Sequence, residues 1–217
     1  MERALTTMSH GEGSAAARWD RRYSAAAQPP FGEAPNDYLR RVCARPEFAA
    51  QTALSLADGD GRNGCWLAEQ GLAVTAVDVS AVATERALAL DSRRGVAVER
   101  VTADLADWTP QASRAWDLVA IIYLQGTGAL RRRVLDIAVA ALAPGGWLVV
   151  EGFSKAQAMR PDMGPDDPDR LYDLEELTAA AQGLEVVEAW AGCLRLDEGT
   201  RHQGEAEVVR FAARRPL

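Results

Sequence analysis

LADGDGRNG, at residues 56–64, is the stretch that decides the fold of this chain. It follows the apolar run Thr52 to Leu56, which is typical of a buried strand, and it opens a helical pattern at Arg62. The glycines fit the G-x-G-x-x-G spacing, which lets a backbone come close to a bound nucleotide. A second apolar run, Ala73 to Val77, ends at Asp78, at about the 20-residue spacing where a carboxylate meets a ribose. Strand, loop, helix, strand and acid in this register predict a nucleotide-binding unit.

Further strands and helices alternate on both sides of this unit. The pattern predicts an α/β fold, a Rossmann-like doubly wound seven-stranded sheet that is mostly parallel. The last two strands have too few residues between them for a helical crossover, so the last strand is expected to be antiparallel. The other predicted strands are Val96 to Thr102, Leu118 to Tyr123, Trp147 to Gly152, Glu185 to Trp190 and Glu207 to Ala212. The predicted helices are Ser14 to Tyr23, one beginning near Tyr38, Arg62 to Gln70, Ala81 to Arg93, Ala129 to Leu142 and Leu174 to Ala181, where Glu176 is placed to complete a capping box with Asp173.

The composition predicts a cytoplasmic protein. The chain has 217 residues, 48% of them hydrophobic, and a net charge of -7, which argues against nucleic acid as a partner. No apolar run reaches the roughly 18 residues that a membrane helix needs. Three cysteines without a paired spacing, and two distant histidines, predict no disulfide framework and no metal site. We interpret the basic run Arg131 to Arg133 as a solvated helix face.

The charge of the glycine loop favours one class of nucleotide. Asp58 and Asp60 lie between the glycines and would repel a pyrophosphate, whereas S-adenosylmethionine carries an ammonium and a sulfonium instead of phosphates. The sequence therefore favours S-adenosylmethionine, with S-adenosylhomocysteine as the product, over NAD. The alternative is a glycine loop that binds nothing.

Residues after the next two strands are expected at the same edge of the sheet. Asp104, followed by Leu105, can accept a hydrogen bond from an adenine amino group, although an aspartate there is also typical of a turn cap. Ile121, Ile122 and Tyr123 end the fourth strand under the same crevice, where open α/β sheets bind ligands. They are equally compatible with plain core.

Several stretches resemble the tellurite-resistance methyltransferase group, which overlaps with the thiopurine and thiol methyltransferases. They are RWD at 18–20 with Tyr23, Phe31-Gly32 to Pro35-Asn36, LADGDGRNG, GPDDPDRLYDLEEL at 164–177 and GTRHQGEAEVV at 199–209. The resemblance implies a class I methyltransferase with an N-terminal lid segment (14–50) and a methyltransferase domain (51–217). The polar, small residues before this segment predict a disordered tail (1–13). The chain departs from many class I enzymes at Ser55, where they have an acid, and at Ala57, where they have the first loop glycine. We expect Asp58 to take over the missing acid's contact with the methionine ammonium.

The cofactor set combines the resemblance with the residues that follow each strand. The resemblance implies that Trp19, with Arg22 or Tyr23, contacts the cofactor from the lid. The full predicted set is Trp19, Arg22, Tyr23, Asp58, Gly59, Gly61, Arg62, Asn63, Asp78, Val79, Ser80, Asp104, Leu105, Ile121 and Tyr123.

The predicted reaction is direct transfer of the sulfonium methyl group to a small soft nucleophile, which needs no strong base. The nucleophile is a tellurite or selenite species or a small thiol.

The candidate catalytic residues are His202 and Arg201, which lie in the predicted turn between the last strands, on the cofactor's side of the sheet. The alternative is an exposed hairpin histidine. Arg22, Arg160, Arg195 and Arg201 are a hypothetical positive pocket. A regulator without turnover, an oxygen or nitrogen acceptor and an NAD-linked oxidoreductase stay open, as does a monomer or a homodimer.

Overall fold

The strands and helices follow one another as the sequence predicts. The structure is a computed structural model that describes residues 13–160, 162–165 and 167–217. Its strands are β1 (Thr52–Leu56), β2 (Ala73–Asp78), β3 (Val98–Thr102), β4 (Trp116–Ile122), β5 (Leu142–Phe153), β6 (Glu185–Glu198) and β7 (His202–Arg214). Its α-helices are α1 (Ala15–Ala25), α2 (Asp37–Cys43), α3 (Arg62–Glu69), α4 (Ala81–Arg94), α5 (Gly128–Ala141) and α6 (Leu174–Ala180). The predicted disordered tail and His10 lie outside the described residues, apart from Gly13.

The strands form one sheet in the order β3-β2-β1-β4-β5-β7-β6. β1 pairs in parallel with β2 and β4, and β7 is antiparallel to both of its neighbours, β5 and β6. The predicted Rossmann-like sheet with an antiparallel last strand is therefore confirmed. The strand order reverses between β1 and β4, and open α/β sheets bind ligands at the carboxyl ends of the strands at such a point.

Both faces of the sheet are covered, because successive side chains of a strand point to opposite faces. Leu54 and Leu56 of β1 lie in a core cluster with side chains of α5 and α6, whereas Ala53 packs with side chains of α2 and α3. In β4, Ile121 belongs to the first cluster and Ile122 to the second. A strand that is buried on both sides explains the unbroken apolar runs in the sequence.

The described part of residues 154–171 contains the 3₁₀ helices Lys155–Met159 and Pro168–Arg170. Two local predictions are corrected by the structure. β6 and β7 are longer than predicted, so that only residues 199–201 separate them. Glu176 does not complete a capping box, because its carboxylate accepts a hydrogen bond from Arg131 at 3.0 Å.

Arg131 itself is buried, which contradicts its interpretation as part of a solvated helix face. Only 3% of the residue is exposed, and its guanidinium donates to the carbonyl oxygens of Gly126 and Asp169. The guanidinium also lies over the ring of Tyr172, 5.0 Å from its centroid. Arg131 therefore joins the start of α5 to the 3₁₀ helix that carries Arg170.

Candidate functional site

A cavity of about 340 Å³ lies at the carboxyl ends of β1 to β4. The rest of its wall comes from the N-terminal segment, from residues 125–130 at the start of α5, and from Arg170. The predicted cofactor residues that line it are Trp19, Tyr23, Asp58, Gly59, Arg62, Asn63, Asp78, Val79, Asp104, Leu105 and Tyr123.

Four predicted cofactor residues lie outside this lining. Ile121 is a core residue with 1% of its surface exposed, and its neighbour Ile122 faces the cavity instead. Gly61 and Ser80 are the N-caps of α3 and α4. Arg22 lies against the Trp19 ring at 4.7 Å from its centroid, and it donates to the Gln125 side chain at 3.3 Å. The prediction did not include the lining residues Ala15, Arg18, Phe31, Ala57, Asp60, Ala106, Ile122, Leu124, Gln125, Gly126, Thr127, Leu130 and Arg170.

Alternate residues of the glycine loop, Ala57, Gly59 and Gly61, have positive φ angles. Gly59 has φ +59°, and a Cβ atom at this position would lie 2.4 Å from the hydroxyl oxygen of Tyr23. Ala57 has φ 58° although it is not a glycine, and Tyr123 at the end of β4 has φ 55°. Non-glycine residues at such angles are uncommon and cluster at ligand sites.

Asp78 fixes the loop to the end of β2. Its carboxylate accepts hydrogen bonds from the backbone N–H groups of Gly59 at 2.8 Å and Ser80 at 2.9 Å. Burial raises the pKa of Asp78 to about 6, and the nearby Asp58 adds to the shift, while these hydrogen bonds oppose it. The carboxylate therefore lies beside the loop backbone at the position that the spacing predicts for a ribose contact.

The Asp58 side chain is occupied by other groups of the protein. Its carboxylate forms a buried ion pair with Arg100 of β3, and it also accepts hydrogen bonds from the Ser55 hydroxyl and the Gly64 backbone. Arg100 additionally binds Asp91 of α4 at 2.8 Å. Burial raises the pKa of Asp58, which Arg100 opposes. Arg100 therefore occupies the carboxylate of Asp58 that was expected to bind a ligand ammonium group.

Asp60 is the carboxylate of the loop that has an unoccupied oxygen. The residue lines the cavity with 5% of its surface exposed, and its Oδ2 atom has no hydrogen-bond partner among the described residues. Burial raises its pKa to about 6, against the opposing charge of Arg62. A buried oxygen without a partner is costly unless a ligand satisfies it.

Arg62 and Asn63 bind the N-terminal segment as well as lining the cavity. The Arg62 guanidinium donates to the carbonyl oxygen of Phe31 at 3.0 Å, and it forms an ion pair with Glu198 at 2.7 Å. The Asn63 side-chain oxygen accepts from the backbone N–H of Asn36 at 2.9 Å. Arg62 and Asn63 therefore join the start of α3 to the N-terminal segment at the cavity.

His202 is not in a turn and does not line the cavity. It is the first residue of β7, 2% exposed, and its ring centroid lies 4.8 Å from that of Phe31, 4.3 Å from that of Tyr123 and 5.3 Å from that of Phe153. Burial lowers the pKa of His202, despite the Glu198 carboxylate 3.7 Å away, so the imidazole is neutral at pH 7. It supports the two aromatic walls, Phe31 and Tyr123, from behind.

Arginines collect at the end of the cavity beside Gln125. Arg18 and Arg170 line it, and Arg22 binds Gln125. Arg22 is half-buried, and its pKa is lowered by burial and then by the charges of Arg201, Arg18 and Arg170. Among the described residues, no carboxylate lies within ion-pair distance of Arg22. Arg160 and Arg195, the other two arginines of the hypothetical positive pocket, do not line the cavity: Arg160 pairs with Glu205, and Arg195 is exposed on β6. Within the group, Arg170 pairs with Asp167 at 3.3 Å.

The cavity lining holds no histidine, lysine or cysteine in the part of the chain that the structure describes. The Tyr123 hydroxyl donates to the buried Glu151 carboxylate at 2.8 Å, and burial, with that carboxylate, raises the Tyr123 pKa well above its usual value. No cluster of three potential metal ligands occurs among the described residues. None of the described helices is both long and apolar enough to cross a membrane.

Residues 53–146 match the family described as Methyltransferase domain, whereas no curated protein sequence matches the chain. Among solved structures, a protein from work on the conversion of a disulfide bond into a thioacetal group during echinomycin biosynthesis is 19% identical, with a TM-score of 0.73 over 93% of this chain and 91% of that one. N-methyltransferase NodS from Bradyrhizobium japonicum WM9, in complex with S-adenosyl-L-homocysteine, is 18% identical, with a TM-score of 0.69 over 93% and 98%. TehB from Haemophilus influenzae is 14% identical, with a TM-score of 0.64 over 92% and 66%.

Proposed function

We propose that this chain, an S-adenosylmethionine-dependent methyltransferase by its matched domain, methylates a small soft nucleophile such as a tellurite or selenite species or a small thiol. The observation that carries the proposal is the chemistry of the cavity, whose described lining includes Asp58, Asp60, Asp78 and Asp104 after β1 to β3, and Arg18 and Arg170 near the Arg22–Gln125 contact after β4. The motifs shared with the tellurite-resistance methyltransferase group support the same acceptor class, and we place the chain in that group as part of the proposal.

The carboxylate end fits the cofactor. Asp60 has a buried carboxylate oxygen without a hydrogen-bond partner, and an ammonium group would satisfy it. We therefore assign the ammonium of the cofactor to Asp60 and not to Asp58, because the Asp58 carboxylate is already paired with Arg100. We assign Asp78 to the ribose hydroxyls and Asp104 to the adenine amino group, since both line the cavity. When bound, S-adenosylmethionine supplies an electrophilic methyl group on a sulfonium. Because the same orphaned carboxylate would repel a pyrophosphate, NAD is a poor fit.

The acceptor end favours a nucleophile that needs no base. A neutral oxygen or nitrogen acceptor usually has to lose a proton, and a positioned histidine, carboxylate or lysine takes it. His202, the histidine in the part of the chain that the structure describes, lies behind Tyr123, and the Tyr123 hydroxyl is bound to Glu151. The protein's task is therefore to hold and align an acceptor that is already nucleophilic.

The arginines explain how a chain with a net charge of -7 can attract an anion. Arg22 has no carboxylate partner among the described residues and is surrounded by Arg18, Arg170 and Arg201. An anion among these side chains lowers their mutual repulsion and gains charge-assisted hydrogen bonds. We assign these arginines to binding of the acceptor. The alternative is that they bind the carboxylate of the cofactor, and kinetics of an Arg22 variant distinguish the two.

The test measures S-adenosylhomocysteine formed from S-adenosylmethionine with tellurite, selenite, iodide, small thiols and a thiopurine. We expect product with the soft anions or thiols, and Arg22→Gln should raise the KM for an anionic acceptor about tenfold, the size of one charge-assisted hydrogen bond. Arg132→Gln, an exposed arginine on α5, is the matched control.

Three outcomes would contradict parts of the proposal. Weaker cofactor binding by Arg22→Gln, with an unchanged acceptor KM, would move this arginine to the cofactor. Product only with an amine or hydroxyl acceptor would replace the soft nucleophile by a nitrogen or oxygen acceptor. Tight cofactor binding without product from either class would indicate a regulator without turnover.

A further inference from the structure

A buried carboxylate on the β6–β7 hairpin holds the segment that covers the cavity. We propose that Glu198 is a positioning residue: with Arg62 and Asn36 it forms a latch that keeps residues 30–37 over the cavity and sets how fast the cofactor leaves. The inference rests on the proposed function, because it assumes that S-adenosylmethionine occupies this cavity. It assigns to the hairpin a role in retaining the cofactor.

Glu198 is the centre of the latch. Its Oε2 atom accepts from the Arg62 guanidinium at 2.7 Å, and its Oε1 atom accepts from the Asn36 side chain at 3.0 Å and from the Asp37 backbone at 3.3 Å. The side chain is 11% exposed and that of Arg62 is 5% exposed, so water screens the ion pair weakly. Burial opposes ionisation of Glu198, but His202 and Arg62 lower its pKa to about 2, so the latch stays charged at neutral pH.

The latch extends from Arg62 into the covering segment. The Arg62 guanidinium also donates to the carbonyl oxygens of Phe31 at 3.0 Å and Ala34 at 3.4 Å. Phe31 lines the cavity, as do Trp19 and Tyr23 farther towards the N-terminus. The same guanidinium therefore connects the glycine loop helix, the hairpin and the cavity wall.

The tip of the hairpin fits closely against the same segment. The Arg201 backbone N–H donates to the carbonyl oxygen of Pro30 at 3.0 Å. A Cβ atom added to Gly199, which has φ +64°, would lie 2.3 Å from the backbone nitrogen of Gly32 and 2.6 Å from the Pro30 oxygen. Side-chain and backbone contacts thus converge on residues 30–37 from one hairpin, and displacement of this segment removes Phe31 from the cavity wall.

The test compares Glu198→Gln with Glu205→Gln, an exposed glutamate on the same hairpin whose partner is Arg160. Release of labelled S-adenosylhomocysteine is measured by dilution into unlabelled compound. We expect Glu198→Gln to speed release about tenfold or more, because a charge-assisted bond to Arg62 is lost, whereas Glu205→Gln should match the wild type. The KM for the cofactor should rise while kcat does not fall, a split that general destabilisation would not give.

Hydrogen exchange of the unliganded protein provides the second readout. The amides of Asp37 and Arg201 should exchange faster in Glu198→Gln, and unchanged exchange together with unchanged release would overturn the latch. If Glu198→Gln does not fold, Arg62→Lys tests the same contacts, since it keeps the charge but loses the fork that spans Phe31 and Ala34. A wild type that does not bind S-adenosylhomocysteine at all would refute the proposed function, and the exchange rates would still decide the latch.

Discussion

Cofactor affinity is expected to fall as the pH is lowered from 7 to 5, because Asp60 must be ionised to hold an ammonium group. Burial raises the pKa of Asp60 from 3.8 to about 6. With that pKa the ionised fraction drops from about 0.9 at pH 7 to about 0.1 at pH 5, so affinity should fall about tenfold through this residue alone.

The sign follows from proton linkage. The unliganded protein binds a proton at Asp60 below pH 6, and binding of an ammonium group must displace it, so acid opposes binding. Asp60→Asn cannot ionise and should bind the cofactor about 10 to 100 times more weakly at pH 7, the range of a hydrogen bond to a charged group. Any pH dependence that remains in this variant belongs to Asp78, whose pKa is also raised to about 6 by burial.

The assay is calorimetric titration with S-adenosylhomocysteine at pH 7 and pH 5. Asp136→Asn, which removes an exposed carboxylate from α5, is the control for the change in net charge. Equal wild-type affinity at the two pH values, or an Asp60→Asn variant with wild-type affinity at pH 7, would refute the assignment of the ammonium to Asp60. Asp58→Asn would then become the variant to test for a lost contact.

Three further predictions concern the support around the site. Gly59→Ala should weaken cofactor binding, because its Cβ would lie 2.4 Å from the Tyr23 hydroxyl oxygen and would displace this residue of the cavity wall. Gly95→Ala, with φ +69° and no neighbour within 4 Å, should bind normally in the same titration. Arg100→Met should lower the free energy of unfolding by about 3–5 kcal/mol in urea titrations, because it leaves buried carboxylates without their cation; a loss below about 1 kcal/mol would contradict this. His202→Phe should keep kcat within about threefold, because the ring packs behind the cavity wall without lining the cavity, and Glu198 keeps its ion pair with Arg62. It should also gain stability relative to the wild type as the pH falls below about 6.5, because burial lowers the folded pKa and the unfolded histidine takes up the proton first.

The first βαβ unit could be predicted almost to the residue because its signals are local. The apolar run Thr52 to Leu56 is β1 with the predicted bounds, and α4 begins at Ala81 as predicted. The hairpin was predicted too short, because β6 lies at the edge of the sheet and its exposed residues lack the apolar pattern of a buried strand. Edge strands are paired on one side only, so their composition resembles that of a loop.

The roles of the loop carboxylates could not be predicted because they depend on a distant partner. The sequence shows Asp58 and Asp60 as equivalent acids between glycines. Arg100 lies 42 residues away from Asp58, on a strand whose pairing with β2 brings its guanidinium under the loop. That ion pair neutralises one acid and leaves the other with an open oxygen. The negative charge of the loop therefore still favours S-adenosylmethionine over NAD, but the carboxylate that we assign to the ammonium group is Asp60.

Arg62 and Asn63 show how a motif can be identified correctly and still be given an incomplete role. Their place after the glycines indicated ligand contacts, and both line the cavity. Their hydrogen bonds, however, go to Phe31, Ala34 and Asn36 of the covering segment, and Arg62 also reaches the hairpin at Glu198. Residues that hold a lid segment affect the rates of ligand binding and release more than the rate of the chemical step, because the lid controls how ligands enter and leave the site. Substitution at Arg62 should therefore change cofactor release before it changes methyl transfer, which separates it from Asp60 in the same loop.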